Sequence, residues 1–329
     1  SAWSDKVEGF NLCQEVTFPL VPEKFSGDPD AEIGVCVLSA TNMLNIDDDD
    51  DLKRVCKNIV RILDNIIDIQ SYSVPACERF AKRKRSIGVG VTNLAGWLAE
   101  KGLNHESEQA PQEISDFLEK QQYYLLEASV DLAKERGQCE DFSSSKYSEG
   151  IMPVERYNKN VDSIVSPQHT MDWDRLRKLI AKHGLRNCTV SAFMPVESSS
   201  VIQGSSSGID QIRDLISYKT SKTATTTVIA PNSKKNKDIY LRLFDSKDNT
   251  GHINCVAAVT KWSDMGVSGN MSYDPQKFNG GNIPQTQIIQ DILTATKLGW
   301  RTFYYHNTYD GDKEEDPKGD GCDGGACSL

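Results

Sequence analysis

Asn11, Cys13 and Glu15 put an amide, a thiol and a carboxylate in the run NLCQE, with Leu12 and Gln14 between them. In a finger-like or extended loop, side chains two positions apart share a side, so the three can face one pocket. A carboxylate so placed can move a proton on a hydroxyl within hydrogen-bond reach. On spacing alone, a cysteine beside an acid is more often a buried structural thiol. Cys322 and Cys327 form a second pair, in the glycine-rich run CDGGACSL. Zinc cysteines are normally closer and come with a second pair, which is missing here. A mobile dithiol carrying reducing equivalents is the better reading. Pro195, Val196, Glu197, Ser198 and Ser199 follow a β-rich segment. Backbone N–H groups and serine hydroxyls at a helix start can cradle phosphate, although an ordinary N-cap has the same composition. Cys36, in EIGVCVLSA, reads by itself as a core thiol in a strand, and Tyr304 and Tyr305 as strand neighbours on opposite faces.

Positioning these residues requires a sizeable fold, and 329 residues with 38% hydrophobic content can build one. With 37 basic and 47 acidic side chains the net charge is −10, which argues against a nucleic-acid polymer as partner. A small phosphorylated substrate remains compatible with that balance. Apolar runs stay short of a membrane span and no signal peptide opens the chain, so a soluble cytoplasmic protein is expected, with no bound metal. An odd count of 9 cysteines argues against a secreted disulfide framework.

Helical periodicity runs through LKRVCKNIVRILDNIIDI after the acidic run Asp47 to Asp51. Further helices are expected through VTNLAGWLAEKG with Gly102 as a stop, from Ile114 to Arg136, from Asp174 to His183, from Cys255 to Met265, and from Ile283 to Lys297. Strands are expected at Asn187 to Phe193 and Trp300 to Tyr305. Residues 203 to 251 read as loops and a peripheral insertion, and from Asn307 onward the chain should be a flexible tail. Alternating strands and helices imply an α/β architecture.

Taken in order, NLCQE, Cys36, LRNCTVSAFMPVESSS, TFYYHNT and the terminal cysteine pair resemble the large subunit of class I, tyrosyl-radical-type ribonucleotide reductase. GVGVTNLAGWLAEKG and YDPQKF carry the same likeness, which is weakest over about 203 to 265, a divergent insertion. The resemblance implies the C-terminal half of a ten-stranded α/β barrel over residues 1–306, with a central finger loop near 10–16, peripheral helices and a redox-active tail over 307–329. It implies that Cys13 carries the thiyl radical, Glu15 is the base for the ribose 3′-hydroxyl, Asn11 hydrogen-bonds the substrate, and Leu12 and Gln14 line the substrate site with them. Cys36 becomes one of two reducing thiols, Pro195 to Ser199 hold the diphosphate, Tyr304 and Tyr305 become a stacked pair that relays the radical, and Cys322 and Cys327 shuttle electrons. Val196 stands where serine is common in the family, so only its backbone could serve.

The activity implied is reduction of ribonucleoside diphosphates to their 2′-deoxy forms. Implied partners are a separate N-terminal half of the large subunit, a radical-generating small (beta) subunit, and thioredoxin or glutaredoxin. No cofactor is expected in this chain. The small subunit would hold a di-iron tyrosyl radical, and the N-terminal half would bind the ATP and dNTP effectors. The chain opens just ahead of Cys13, which suggests a split or truncated large subunit. A cobalamin-dependent class II reductase and a non-catalytic nucleotide-binding assembly subunit are the alternatives. The tyrosine pair favours class I, and retention of Cys13, Glu15 and both tyrosines favours an enzyme.

Overall fold

The computed structural model describes residues 1–220 and 225–309. The chain opens with a short antiparallel hairpin, β1 (Gly9–Phe10) against β2 (Thr17–Phe18). Strand β3 (Val37–Asn42) leads to α1 (Asp49–Ile69), α2 (Pro75–Lys84) and β4 (Ile87–Thr92), and β4 pairs parallel with β3 over all six residues. Helix α1 starts where expected. Asp48 accepts from the Asp51 N–H at 2.8 Å, and the carboxylates of its first turn face the positive end of the helix dipole. Leu52, Cys56, Val60, Leu63 and Ile67 form its buried stripe.

All six residues of β4 are buried, as a parallel strand covered on both faces must be. A Cβ on Gly90 would lie 2.8 Å from the Ala192 carbonyl oxygen, so glycine here admits the extended segment 189–193 against β4. That segment accepts from the Ile87 and Val89 N–H groups on one side (3.2 and 3.0 Å) and meets 265–268 on the other. It forms an isolated parallel bridge, Phe193 to Val267, rather than the expected full strand.

Next come α3 (Leu94–Glu100) and the long α4 (Ala110–Arg136), the central helix, which packs on α1. Val91 and Thr92, expected in the helix, belong to β4. The single-turn α5 (Pro153–Arg156) and α6 (Trp173–His183) precede α7 (Glu197–Gln203). An antiparallel hairpin follows, β5 (Ile216–Thr220) with β6 (Thr225–Ile229), and then the single-turn α8 (Ser233–Asn236). This hairpin occupies part of the region read as loops.

Helix α9 (Thr250–Trp262) covers most of the helix expected over Cys255 to Met265 and starts five residues earlier. It packs on α4, and ten of its residues are buried. It also ends before Met265, because Ser263 turns extended and Asp264 enters the core. β7 (Met271–Tyr273), α10 (Gln285–Lys297) and β8 (His306–Thr308) complete the described chain, with β7 and β8 parallel.

The strand expected at Trp300 to Tyr305 therefore begins later and includes Asn307, where the tail was placed. Side chains fasten the preceding segment instead. Trp300 Nε1 donates to the Ile253 carbonyl at 3.0 Å, Arg301 to the carbonyls of Ser263 and Met265 at 2.8 Å each, and Thr302 to Val267 at 2.8 Å. Among the described residues the strands form four two-stranded pairings and do not close a barrel. The rest of the expected tail, with Cys322 and Cys327, lies outside the described residues.

Candidate functional site

The turn 11–15 caps the β1–β2 hairpin and is tight rather than extended: the Gln14 N–H reaches the Asn11 carbonyl at 3.1 Å, and Gln14 takes φ +65°. Asn11 and Glu15 meet across this turn, Asn11 Nδ2 donating to Glu15 Oε1 at 2.8 Å, while Asn11 Oδ1 accepts from the Val16 N–H at 3.1 Å. Both ends of the Asn11 amide are thereby fixed. Glu15 is 2% exposed, whereas Leu12 at the tip is 69% exposed.

Residues 263–270 hold the turn from below. The Gly266 N–H donates to the Glu15 carbonyl at 2.7 Å, and Ser268 Oγ lies 2.6 Å from the Cys13 carbonyl and 3.2 Å from Glu15 Oε2. A Cβ on Gly266 would come within 2.4 Å of the Gln14 carbonyl oxygen, so this close approach requires glycine. Sequence reasoning missed Gly266 and Ser268 by reading a helix through Met265. The run GVSGN, two glycines around a serine between a helix and a strand, was the available signal.

Cys13 is half-buried, and its thiol contacts the Tyr304 hydroxyl at 3.3 Å across 291 positions of sequence. Burial pushes the thiol up from its ordinary pKa, Glu15 and Glu197 add to this, and the Tyr304 bond opposes it. The Tyr304 and Tyr305 rings stack with centroids 3.8 Å apart, 32° from parallel. The expectation of opposite faces fails because neither residue is in a strand. Burial, then the contacts with Cys13 and Tyr305, raise the Tyr304 pKa. Tyr305 is 54% exposed, so the thiol–phenol–phenol row runs from a half-buried sulphur to the surface.

Cys36 stands one residue ahead of β3 and packs with Trp3, Val16, Phe18, Phe80 and Ala192. Burial drives its thiol pKa upward, with Glu15 as the next contribution, so the thiol stays protonated and close to the turn's carboxylate. Pro195 and Val196 lead into α7, with Val196 at φ +31°, a left-handed position uncommon for a β-branched residue. Glu197, Ser198 and Ser199 form the exposed first turn, and Glu197 lies near enough to Cys13 to raise it. The structure thus gathers Asn11, Cys13, Glu15, Tyr304, Tyr305 and the 195–199 loop around one spot, with Cys36 behind it. Among the described residues no cluster of three or more His, Cys, Asp or Glu side chains is placed to hold a metal ion, and no helix is long and apolar enough to cross a membrane.

A turn-borne thiol in contact with a tyrosine pair, beside a parallel α/β wall, groups side chains capable of redox chemistry. Residues 2–306 match the family described as "Ribonucleotide reductase, barrel domain", and the chain belongs to that family. It is 40% identical over 321 residues to the ribonucleoside-diphosphate reductase subunit alpha of Haemophilus influenzae, covering 97% of this chain and 42% of the relative. The proteins of the same name from Buchnera aphidicola subsp. Schizaphis graminum and Enterobacteria phage T4 are each 40% identical, over 327 and 328 residues. These alignments cover 97% of this chain and 43% and 42% of the relatives. The chain therefore spans less than half the length of the relatives it matches.

Proposed function

We propose that this chain carries the radical and reducing chemistry of a class I ribonucleoside-diphosphate reductase, acting on a nucleoside diphosphate to give its 2′-deoxy form. The observation that carries the reading is the row Cys13–Tyr304–Tyr305, with contacts of 3.3 and 3.8 Å and its outer ring exposed. A cobalamin-dependent enzyme has no use for such a row, and a non-catalytic subunit has none for Glu15 buried beside the thiol.

In this reading an oxidising equivalent from the di-iron tyrosyl radical of a small (beta) subunit arrives at Tyr305 and leaves Cys13 as a thiyl. Cys13 then abstracts the ribose 3′ hydrogen atom. Glu15, oriented by Asn11 and Ser268, takes the 3′-hydroxyl proton while the 2′-hydroxyl leaves as water with a proton from one of the two reducing thiols, and Cys13 at the end returns its hydrogen atom to the 3′ carbon. Two thiols supply the two electrons and close a disulfide. Cys36 is one, protonated as this step requires, and its partner belongs to the N-terminal part of the family's large subunit. Pro195 to Ser199 face the diphosphate, with backbone groups at Val196 and hydroxyls at Ser198 and Ser199. Cys322 and Cys327 re-reduce the disulfide and are themselves reduced by thioredoxin or glutaredoxin. ATP and dNTP effectors bind the N-terminal half. Residues 1–306 supply the second half of a ten-stranded barrel that the N-terminal half completes.

The test is deoxynucleotide formation by this chain mixed with an N-terminal large-subunit half, a small subunit and a reductant. Tyr304→Phe and Tyr305→Phe should each abolish turnover with substrate binding intact. Near-normal turnover by Tyr305→Phe would sink the class I reading. Cys322→Ser with Cys327→Ser should stop turnover driven by thioredoxin or glutaredoxin and spare that driven by dithiothreitol. Sustained turnover with only the small subunit and reductant added would refute the need for a separate half.

A further inference from the structure

Behind Tyr305 lies a polar group that the roles above do not use. The Tyr305 N–H donates to Asn270 Oδ1 at 3.0 Å, and Asn270 Nδ2 donates to Asp210 Oδ2 at 2.8 Å. Asn270 is buried. Asp210 Oδ1 is buried without a hydrogen-bond partner and lies 3.5 Å from His252 Nε2. Both ring nitrogens of His252 are likewise buried without a hydrogen-bond partner. His252 sits on α9 with its ring among His105 and Trp300, at centroid distances of 5.7 and 6.3 Å. Buried polar atoms are normally satisfied, and each exception calls for a physical reason.

One proton resolves two of these three orphans, Asp210 Oδ1 and His252 Nε2. A protonated Asp210 presents an O–H to His252 Nε2 and keeps its other oxygen for Asn270. Electrostatics favour that state. Burial, reinforced by Glu197, lifts the Asp210 carboxyl to about 7, while its Asn270 bond and Arg213 oppose. Burial and the neighbouring His105 hold His252 down at about 3, so the ring is neutral and can accept. These groups come from α7, α9, the loop after α3 and the segments flanking Asp210.

We propose that Asp210, Asn270 and His252 are positioning residues for the tyrosine pair: the Asp210–His252 pair holds one proton, Asp210 fixes the Asn270 amide, and Asn270 fixes the main chain of Tyr305. The proposal rests on the reading of Tyr304 and Tyr305 as a radical relay. Ionising Asp210 places a charge beside Glu197 and removes the donor to His252. The carboxylate, still held to the Asn270 amide, is pushed away from His252 and Glu197 and carries Asn270 with it, which displaces Tyr305 from its stack on Tyr304. Transfer between rings is sensitive to small displacements, and misplacement on the ångström scale can cost roughly a hundredfold in rate.

The test uses the assembled enzyme. Asp210→Ala and Asn270→Ala should lower kcat by roughly tenfold to a hundredfold with substrate KM unchanged. Asp210→Asn offers an oxygen to Asn270 and an N–H to His252 without titrating, so it should recover most of the turnover. Wild-type turnover should fall as pH rises through about 7, and Asp210→Asn should lack that fall. Wild-type kcat in both alanine variants, or a loss confined to KM, overturns the proposal. If the alanine variants do not fold, the comparison of wild type with Asp210→Asn decides, and identical pH profiles overturn it. Tyr305→Phe in the same assay separates the two readings. An active Tyr305→Phe defeats the relay itself, whereas an inactive one beside a fully active Asp210→Ala defeats only the role of Asp210.

Discussion

Two aspartates, Asp264 fully buried and Asp210 mostly so, show how differently one fold can treat the same side chain. Asp264, just past α9, accepts from the Tyr147 hydroxyl at 2.6 Å, from Gln122 at 2.8 Å and from the Val190 N–H at 2.7 Å, and it pairs with buried Arg156. It ties α4, α5 and the 189–193 segment together where no solvent enters. Among the described residues Asp210 has a single hydrogen bond and no cation in contact. Saturation marks a carboxylate that holds structure, because every lone pair is used and the charge is compensated. An unsaturated buried carboxylate holds a proton instead, and it stands beside the row that the proposed chemistry needs.

The sharpest break of this comparison concerns activity without stability. Cys13→Ser in the assembled enzyme should eliminate turnover, yet leave the thermal midpoint nearly unchanged, since the half-buried thiol has one side-chain contact, with Tyr304. Melting curves alongside the turnover assay check both halves of this. Asp264→Ala should do the reverse. Leaving Arg156 buried and uncompensated should cost about 3–5 kcal/mol of folding stability, read by denaturant unfolding. Any loss of turnover should then track the unfolded fraction.

Asp210→Asn should give an effect that depends on pH and is absent in acid. With its carboxyl at about 7 rather than the ordinary 3.8, the folded chain keeps a proton that the unfolded chain has released. Folding is therefore weakened as pH rises from about 4 to about 7, and the cost is complete above that. Relative to wild type, Asp210→Asn should gain stability across that window, on the order of 4 kcal/mol at pH 8, and nothing at pH 3. A pH-independent difference would show that Asp210 does not carry the proton. Smallest of all, Lys82→Ala breaks an exposed pair with Glu78 at 2.6 Å and should cost under about 1 kcal/mol.

The helices were legible because their periods are local. Leu52 to Ile67 repeat every three or four residues, and Gly184 and Gly299 follow helix ends with positive φ. Trp300 to Tyr305 were not legible as irregular chain. The aromatic, β-prone composition is that of a strand, and only Gly269 beneath the Trp300 ring, with the Arg301 and Thr302 bonds to 263–267, shows why no ladder forms. Segment 189–193 was readable as extended but not as to which neighbours it would meet.

For the site, sequence by itself determined the residue types and their order: Asn11, Cys13 and Glu15 in one turn, the tyrosine pair far downstream, and the loop from Pro195 to Ser199. Chemistry of that kind is written into side-chain identity, so the order alone carries the likeness to a family. Tertiary structure alone decided that the Cys13 thiol meets Tyr304 rather than Tyr305, and that Gly266 and Ser268 hold the finger turn. It alone paired Asp210 with His252 and linked both to Tyr305 through Asn270. These contacts join residues 35 to 291 positions apart, and no local period or propensity encodes them. They arise because α4 and α9 pack at the centre and bring the finger, the 263–270 segment and the Tyr304–Tyr305 segment against one another.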